Sequence, residues 1–544
     1  MEKPVLITRP APLILLLASL LASTGCQQLD PHLPDENLQV QLPQWLALES
    51  EYHCYPVDEY SLSDGNREPH FPLSPDDVIW PRLQAGLTLD YVDHPAVKAQ
   101  LDWYRRHPQY LERVQQRASR YLFHVLEMLH ENDVPYDFAL LPIIESAYEP
   151  FAYSHGRAAG LWQFIPVSGQ RFGLNQNWWL DERRDVVEST RAAIAYLKFL
   201  HRFFDQDWQL ALAAYNAGEG TVRNAIRRNQ RQQRPADFWH LELPPETRAY
   251  VPKLIALAEI FRHPEKYDIA LLPISNRPYF TSVTLDGQLD LLQAAEMANI
   301  SIEELYYLNP GLNRWATPPV NNYPLKIPLS AQLEFSSQIA ALPDNQRITW
   351  QRHTIRPGES LNSIAGRYQT DKDWIREANQ LTSDVIIAGK VLMVPIASAE
   401  HHRYRLSEAE RVNRRQGNAP AQGMTRHEHI VKSGDSFWKI ARQYDVDIKA
   451  LARWNSKAPG DMLRAGDKLV VWLAADKSSA FRPRDDKIAR INYRVRNGDS
   501  LAKIAGKFNV AIGQIVNWNN INPDKYLQPG QPLTLYVNVM NTSH

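Results

Sequence analysis

The sequence predicts an α+β multidomain protein, a mainly α domain followed by small βααβ modules. Three observations predict it. The chain has 544 residues, more than one hydrophobic core usually serves, so several domains are expected. From about Pro95 onward, apolar residues recur at helical spacing. The C-terminal half then repeats one short pattern three times. An apolar fraction of 44% with 22% charged residues is ordinary for globular protein. Lys and Arg number 60 against 61 Asp and Glu. With no positive excess to neutralise a phosphate backbone, nucleic acid is not an expected partner.

Taken in order, the chain begins with Lys3 and Arg9 as a positive segment before an apolar stretch, Ala11 to Ala22, too short to cross a bilayer comfortably. Ser23, Thr24 and Gly25 precede Cys26. This arrangement over residues 1–26 resembles a bacterial lipoprotein signal, although Ser23 stands where such signals prefer Leu. The resemblance implies Cys26 as a lipidated first residue. Gln27 rather than Asp after it points to the periplasmic side of the outer membrane. The alternative is ordinary signal cleavage with Cys26 left as a thiol. Only Cys26 and Cys54 occur, too few for a disulfide framework or a cysteine metal site. Residues 27–94 are Pro-rich and acidic with little periodicity, and read as an N-terminal arm.

Val97, Leu101, Tyr104, Leu111, Val114, Tyr121, Leu122, Val125, Leu126 and Leu129 keep the helical period. The pattern continues through Ser189–Phe204, Trp208–Tyr215 and Arg248–Phe261, so residues 95–268 read as one helical domain. Four segments in it carry chemistry: Ile144-Glu145-Ser146, Gly160-Leu161-Trp162-Gln163-Phe164, Ala214-Tyr215-Asn216-Ala217-Gly218 and Thr247-Arg248-Ala249-Tyr250-Val251. Glu145 closes the apolar run that starts at Phe138. A carboxyl attached to such a run loses hydration and stays protonated near neutral pH. That is the state a general acid needs. The plainer reading is a buried glutamate serving as a hydrogen-bond hub.

Together the four segments resemble the family 1 lytic transglycosylases, with goose-type lysozymes as more distant relatives. Trp162 stands where many relatives have Met. The resemblance implies a lysozyme-like fold. It also implies cleavage of the β-1,4 bond between N-acetylmuramic acid and N-acetylglucosamine of peptidoglycan without water; the scattered His residues and the lack of a phosphate-loop pattern lead to no expected metal or cofactor. It makes Glu145 the acid/base and places Ser146 near the reacting centre. Ser154, Gln163 and Phe164 line sugar subsites, Ala214, Tyr215 and Asn216 shape the floor, and Tyr250 orients Glu145. Structural alternatives stand beside these roles. Tyr215 shares a helix face with Trp208 and Leu212, Asn216 suits a helix end, and Ser154 suits a turn. A water-using muramidase is the rival enzyme. It needs a second carboxylate, about 6.5–9.5 Å away in an inverting pair, and Glu149, Asp181, Glu182, Asp185 and Glu219 are the donors by sequence. A non-catalytic wall-binding scaffold is the third reading.

In the C-terminal half, His353-Thr-Ile-Arg-Pro-Gly-Glu-Ser-Leu, His429-Ile-Val-Lys-Ser-Gly-Asp-Ser-Phe and Tyr493-Arg-Val-Arg-Asn-Gly-Asp-Ser-Leu align. Each leads into Ile-Ala, an Asn-centred turn (Asn379, Asn455, Asn519) and an apolar strand. The pattern reads as strand, Gly turn, helix capped by Ser360, Ser436 or Ser500, second helix, strand. These units, 351–396, 428–473 and 492–538, resemble LysM modules. The resemblance implies binding of N-acetylglucosamine-containing glycan in a groove that includes the Gly-to-Ser loops and the Asn turns. The alternative is that those residues only make turns and caps. Stretches 397–427 and 474–491 read as linkers. His401, His402, His427 and His429 in or beside them read as solvated side chains. Residues 269–345 read as a connecting region. It contains a degenerate relative of the repeat that lacks the Gly-Asp-Ser turn, with a packing spacer as the preferred interpretation.

Overall fold

The computed structural model describes residues 77–154, 156–420, 423–474, 488–496, 498–508, 510, 512–519, 521 and 527–538. The leader, Cys26, Cys54, most of the 27–94 arm and most of the 474–491 linker lie outside them.

Among the described residues, ten α-helices build the first domain: α1 (Trp80–Ala85), α2 (Pro95–Arg106), α3 (Pro108–Ala118), α4 (Leu122–Glu131), α5 (Leu141–Ser146), α6 (Pro166–Arg171), α7 (Val186–Phe203), α8 (Trp208–Ala217), α9 (Glu219–Arg231) and α10 (Pro245–Arg262). Proline opens α2, α3, α5, α6 and α10, where its missing N–H costs nothing. Asp185 and Asp207 cap α7 and α8 by accepting two backbone N–H bonds each. Leu210 to Ala214 of α8 are buried, and α8 packs on α7, α9 and α10 at the centre of the core.

The arm reading fails for residues 77–94. Ile79, Trp80, Leu83, Leu87 and Leu89 belong to the same buried core. Trp80 stacks on Phe261 at 5.4 Å and donates to Leu272 O. A six-residue helix shows no period by itself, so this packing is decided only by the tertiary fold.

Residues 280–328 are more than a spacer. They form a complete βααβ unit, with β1 (Phe280–Leu285) antiparallel to β2 (Tyr323–Pro328) in the register Phe280↔Pro328 to Leu285↔Tyr323. Helices α11 (Leu291–Met297) and α12 (Ile302–Leu308) lie between the strands in sequence. The turn is displaced: Gly287, at φ 91°, precedes Asp290, which replaces Ser as the helix cap. The unit is fused to the helical domain. Asp181 N donates to Gly311 O and Asn313 N to Trp179 O. Lys326 Nζ lies 2.5 Å from Asp185 Oδ2, with both side chains buried.

The 397–427 stretch is not an open linker either. Tyr404 is fully buried against the βααβ unit and donates to Asp290 Oδ2, and Glu408–Gly417 forms a helix.

Three further hairpins follow: Thr349–Thr354 with Val391–Ile396, Met424–Ile430 with Lys468–Ala474, and Ile488–Arg494 with Pro532–Asn538. Each encloses two short helices and has its own small core. One asparagine clamps each unit. Asn455 Nδ2 donates to Leu451 O and Val470 O, while its Oδ1 accepts from Val470 N. Asn309, Asn379 and Asn519 make the same three bonds in their own units. Ser360, Ser436 and Ser500 accept from the backbone N–H three residues on. The turn-and-cap reading therefore accounts for these side chains. His429 is buried, not solvated, and bridges Asp435 and Tyr444, as His353 bridges Glu359 and Tyr368. Trp438 of the second repeat meets Trp518 and Tyr536 of the third at 5.0 and 5.2 Å.

Candidate active site

Glu145 sits in the last turn of α5. The chain leaves that turn through Ala147 and Tyr148, both left-handed (φ 51° and 56°). The buried Tyr148 hydroxyl donates to Ala139 O at 2.6 Å and fixes the reversal. Glu145 remains partly open to solvent, yet protein crowds its carboxyl closely. Burial raises its pKa to about 7, offset in part by the bond from Tyr250; Glu246 adds to the rise and Lys253 opposes it.

Tyr250, on α10, donates its hydroxyl to Glu145 Oε1. Tyr215, on α8, donates to Trp162 O at 2.9 Å. Both phenols are pushed well above their usual pKa, first by burial and next by the nearby Glu145. Glu145, Tyr215 and Tyr250 thus form one cluster. Ser146 Oγ lies 2.9 Å from Leu161 O and 3.1 Å from Pro142 O, tying α5 to the Gly160–Phe164 loop. Gln163, at φ 49°, bonds through Nε2 to Gly160 O at 2.8 Å and Ala152 O at 3.4 Å. Asn216 Oδ1 accepts from Thr247 on α10 at 2.8 Å. Gly218, not Asn216, ends α8.

Gly160 allows this loop to close. Its φ is 81°, and a Cβ there would stand 1.9 Å from Arg183 O. No other residue fits that position without moving backbone.

Two expected subsite residues are core. Ala214 is 0% exposed and Phe164 3%, the latter packed edge-on to Tyr215 at 6.4 Å. Ser154 Oγ accepts from Gly156 N and Ala158 N, the bonds of a turn. Sequence reasoning gave no role to Thr247, Glu246 or Lys253, all of which bear on the site. The spacing of Glu246, Tyr250 and Lys253 at i, i+4 and i+7 on α10 was the available signal.

The five rival carboxylates are engaged elsewhere. Asp181 pairs with Arg183 and Arg184, Glu219 with Arg171, and Glu149 with Arg117 at 3.5 Å. Asp185 holds Lys326 and caps α7, and Glu182 accepts from Asn175 N. None of them is among the groups that shift Glu145.

Comparison with known proteins agrees with this layout. Residues 127–238 match the transglycosylase SLT domain. Residues 353–395, 429–472 and 493–535 match the LysM domain, and 279–344 match the LysM-like domain of the lytic transglycosylase MltD. A helical SLT domain joined to LysM-type modules defines a lytic transglycosylase, a lyase acting on peptidoglycan. Membrane-bound lytic murein transglycosylase D of Escherichia coli (strain K12) is 32% identical over 467 residues, 86% of this chain and 87% of that protein. The chain belongs to the membrane-bound lytic murein transglycosylase D family. A putative tributyltin chloride resistance protein of Alteromonas sp. (strain M-1) is 35% identical over 32% of this chain and 84% of its own length. The X-ray structure of an inactive mutant of lytic transglycosylase Slt from Pseudomonas aeruginosa matches 28% of this chain and 25% of that one. Identity there is 24% and the TM-score 0.21, a likeness too partial to add weight.

Proposed function

We propose that Glu145 is the single acid/base of a lytic transglycosylase cutting between N-acetylmuramic acid and N-acetylglucosamine. The observation that carries this reading is its crowded carboxyl, raised to about 7 and held by Tyr250. The five carboxylates named from the sequence are bound to other partners. Glu246, exposed on α10, acts on Glu145 only as a charge that adds to the rise. Protonated Glu145 gives its proton to the glycosidic oxygen as the bond to the muramoyl anomeric carbon breaks. The neighbouring N-acetyl oxygen stabilises the positive charge on that carbon. Ionised Glu145 then takes the proton of the muramoyl C6 hydroxyl, whose oxygen closes the 1,6-anhydro ring. No water is consumed, and Glu145 ends protonated as it began.

Tyr250 holds the carboxyl and supports its anionic phase. Tyr215 and Ser146 brace the Gly160–Phe164 loop, which fixes the place of Gln163 in it. Asn216 has its oxygen occupied by Thr247, which leaves its amide N–H groups available to a sugar substituent. The LysM repeats hold the wall polymer while the helical domain cuts.

The test is product analysis on purified sacculi. Anhydromuramoyl ends are expected and reducing muramoyl ends are not; a predominance of reducing ends would make the enzyme a hydrolase. Glu145→Gln is expected to abolish clearing and leave wall binding intact, and clearing that persists would remove Glu145 from its role.

Lipidation of Cys26 and attachment at the outer membrane belong to the same proposal, supported by the leader pattern and the membrane-bound relative. The mass of the mature N-terminus checks them: added acyl mass on Cys26 is expected, and an unmodified thiol would refute the anchor.

A further inference from the structure

A cleft of about 1640 Å³, one wall of which begins at Glu149, carries an unusual charge. Its walls come from the loop after α5, the loop before α7, the first βααβ unit, the helix Glu408–Gly417 and the second repeat. They carry nine cationic side chains against five carboxylates.

The carboxylates are mostly spent. Asp181 is bound by Arg183 and Arg184, Glu408 by Arg314 at 3.0 Å, Asp461 by Arg157 at 2.7 Å, and Glu149 lies near Arg117. Arg411, Arg414 and Arg415 share one face of their helix and form no ion pair within 4 Å among the described residues, Glu408 and Asp181 acting on Arg411 only from farther away. Arg411 bonds to Leu406 O and lies 4.7 Å over the Phe151 ring. Burial first, and then the repulsion of Arg184, push its pKa down to about 9 against the pull of Glu408 and Asp181. Arg314 lies 3.6 Å over the Trp178 ring. Forked cations backed by aromatic faces suit planar carboxylates.

The cleft adjoins the reacting centre through the chain. Its Glu149–Ser154 wall begins four residues after Glu145, and Ala152 O in that wall accepts from Gln163. An uncharged run of N-acetylglucosamine would gain little from so many cations. In peptidoglycan the free carboxylates are carried by the stem peptides that branch from the muramoyl residues.

We propose that this cleft binds acidic peptide, namely the carboxylate-bearing stems of the strand whose sugars lie at Glu145. The proposal rests on the glycan-cleaving reading of Glu145. The enzyme therefore senses two parts of its polymer, sugar in one groove and peptide in the next.

The probe is the sugar-free stem pentapeptide with its amine acylated as in the wall, N-acetyl-Ala-γ-D-Glu-diaminopimelate-D-Ala-D-Ala, titrated calorimetrically into the full-length protein. Binding that weakens with salt is expected. The triple variant Arg411→Gln, Arg414→Gln, Arg415→Gln should bind about tenfold or more weakly, the loss expected when charge-assisted bonds are removed. On stem-bearing strands the triple variant should raise KM by a similar factor at unchanged kcat. On strands stripped of peptide it should match the parent. Glu145→Gln should bind the pentapeptide as the parent does, so loss of catalysis and loss of peptide binding are read separately. Should the triple variant misfold by circular dichroism, Arg414→Glu, an exposed change, makes the same test. No binding by the parent, equal binding of a pentapeptide with amidated carboxylates, or an equal rise in KM on stripped strands would overturn the proposal.

Discussion

At the scale of single residues, the pH behaviour of Glu145 has two readouts. Its pKa is about 7 in the folded protein, against about 4.3 for an unfolded glutamate. Between those values the folded state holds the extra proton, so stability falls as pH rises through this window. Glu145→Gln removes that loss, on the order of 3 kcal/mol, and should raise the melting temperature more at pH 8 than at pH 4. Activity should likewise fall as pH climbs through about 7 and the acid ionises. Tyr250→Phe removes the bond that lowers the Glu145 pKa, so the alkaline limb should move to higher pH while kcat falls about 10- to 100-fold. A limb that moves to lower pH would show that Tyr250 does not act through the carboxyl. The Glu145 carboxyl was legible from the apolar run before it, whereas Tyr215 and Tyr250 were legible only through the resemblance of their segments to a known family. Phe164 and Ala214 were misplaced through that same resemblance. A motif read as a string does not say which of its side chains face inward.

At the scale of elements, the repeats were the most legible part of the chain, since one pattern recurs and each copy checks the others. What the strings could not separate was the ligand-facing turn from the buried clamp. Asn455 is 1% exposed, and its three bonds close the second helix onto the returning strand. Asn455→Ala should cost the second repeat about 2–4 kcal/mol, through unpaired buried backbone groups. Guanidinium titration followed by Trp454 and Trp472 fluorescence measures it; a loss under about 1 kcal/mol would return Asn455 to the list of ligand contacts. The unit at 280–328 escaped clear recognition because its cap and turn are shifted against the other three. Its Asn309 clamp survives unchanged and was the better signal.

At the scale of the whole molecule, sequence reading failed where packing between units decides the outcome. Residues 77–94 are half apolar but too short for a clear period, residues 397–427 are polar, and only contact with distant cores makes Trp80 or Tyr404 structural. The fusion of the first βααβ unit to the helical domain was invisible for the same reason. Lys326 and Asp185 are 141 residues apart and meet only in the fold. Lys326→Met leaves the Asp185 carboxylate buried with its two backbone donors alone, and should destabilise by about 3–5 kcal/mol. Adding Asp185→Asn should recover part of that loss. Calorimetry tests the coupling: losses that simply add would mean the pair does not act as a unit.

The contact of Trp438 with Trp518 and Tyr536 carries a consequence for time spent on the wall. Two repeats clasped through their rings present their sugar sites at a fixed interval along the strand. When one lets go, the other keeps it within recapture range, at an effective concentration of order millimolar. Residence should then grow with the product of two weak holds. The enzyme would leave the sacculus slowly even if each repeat exchanges fast.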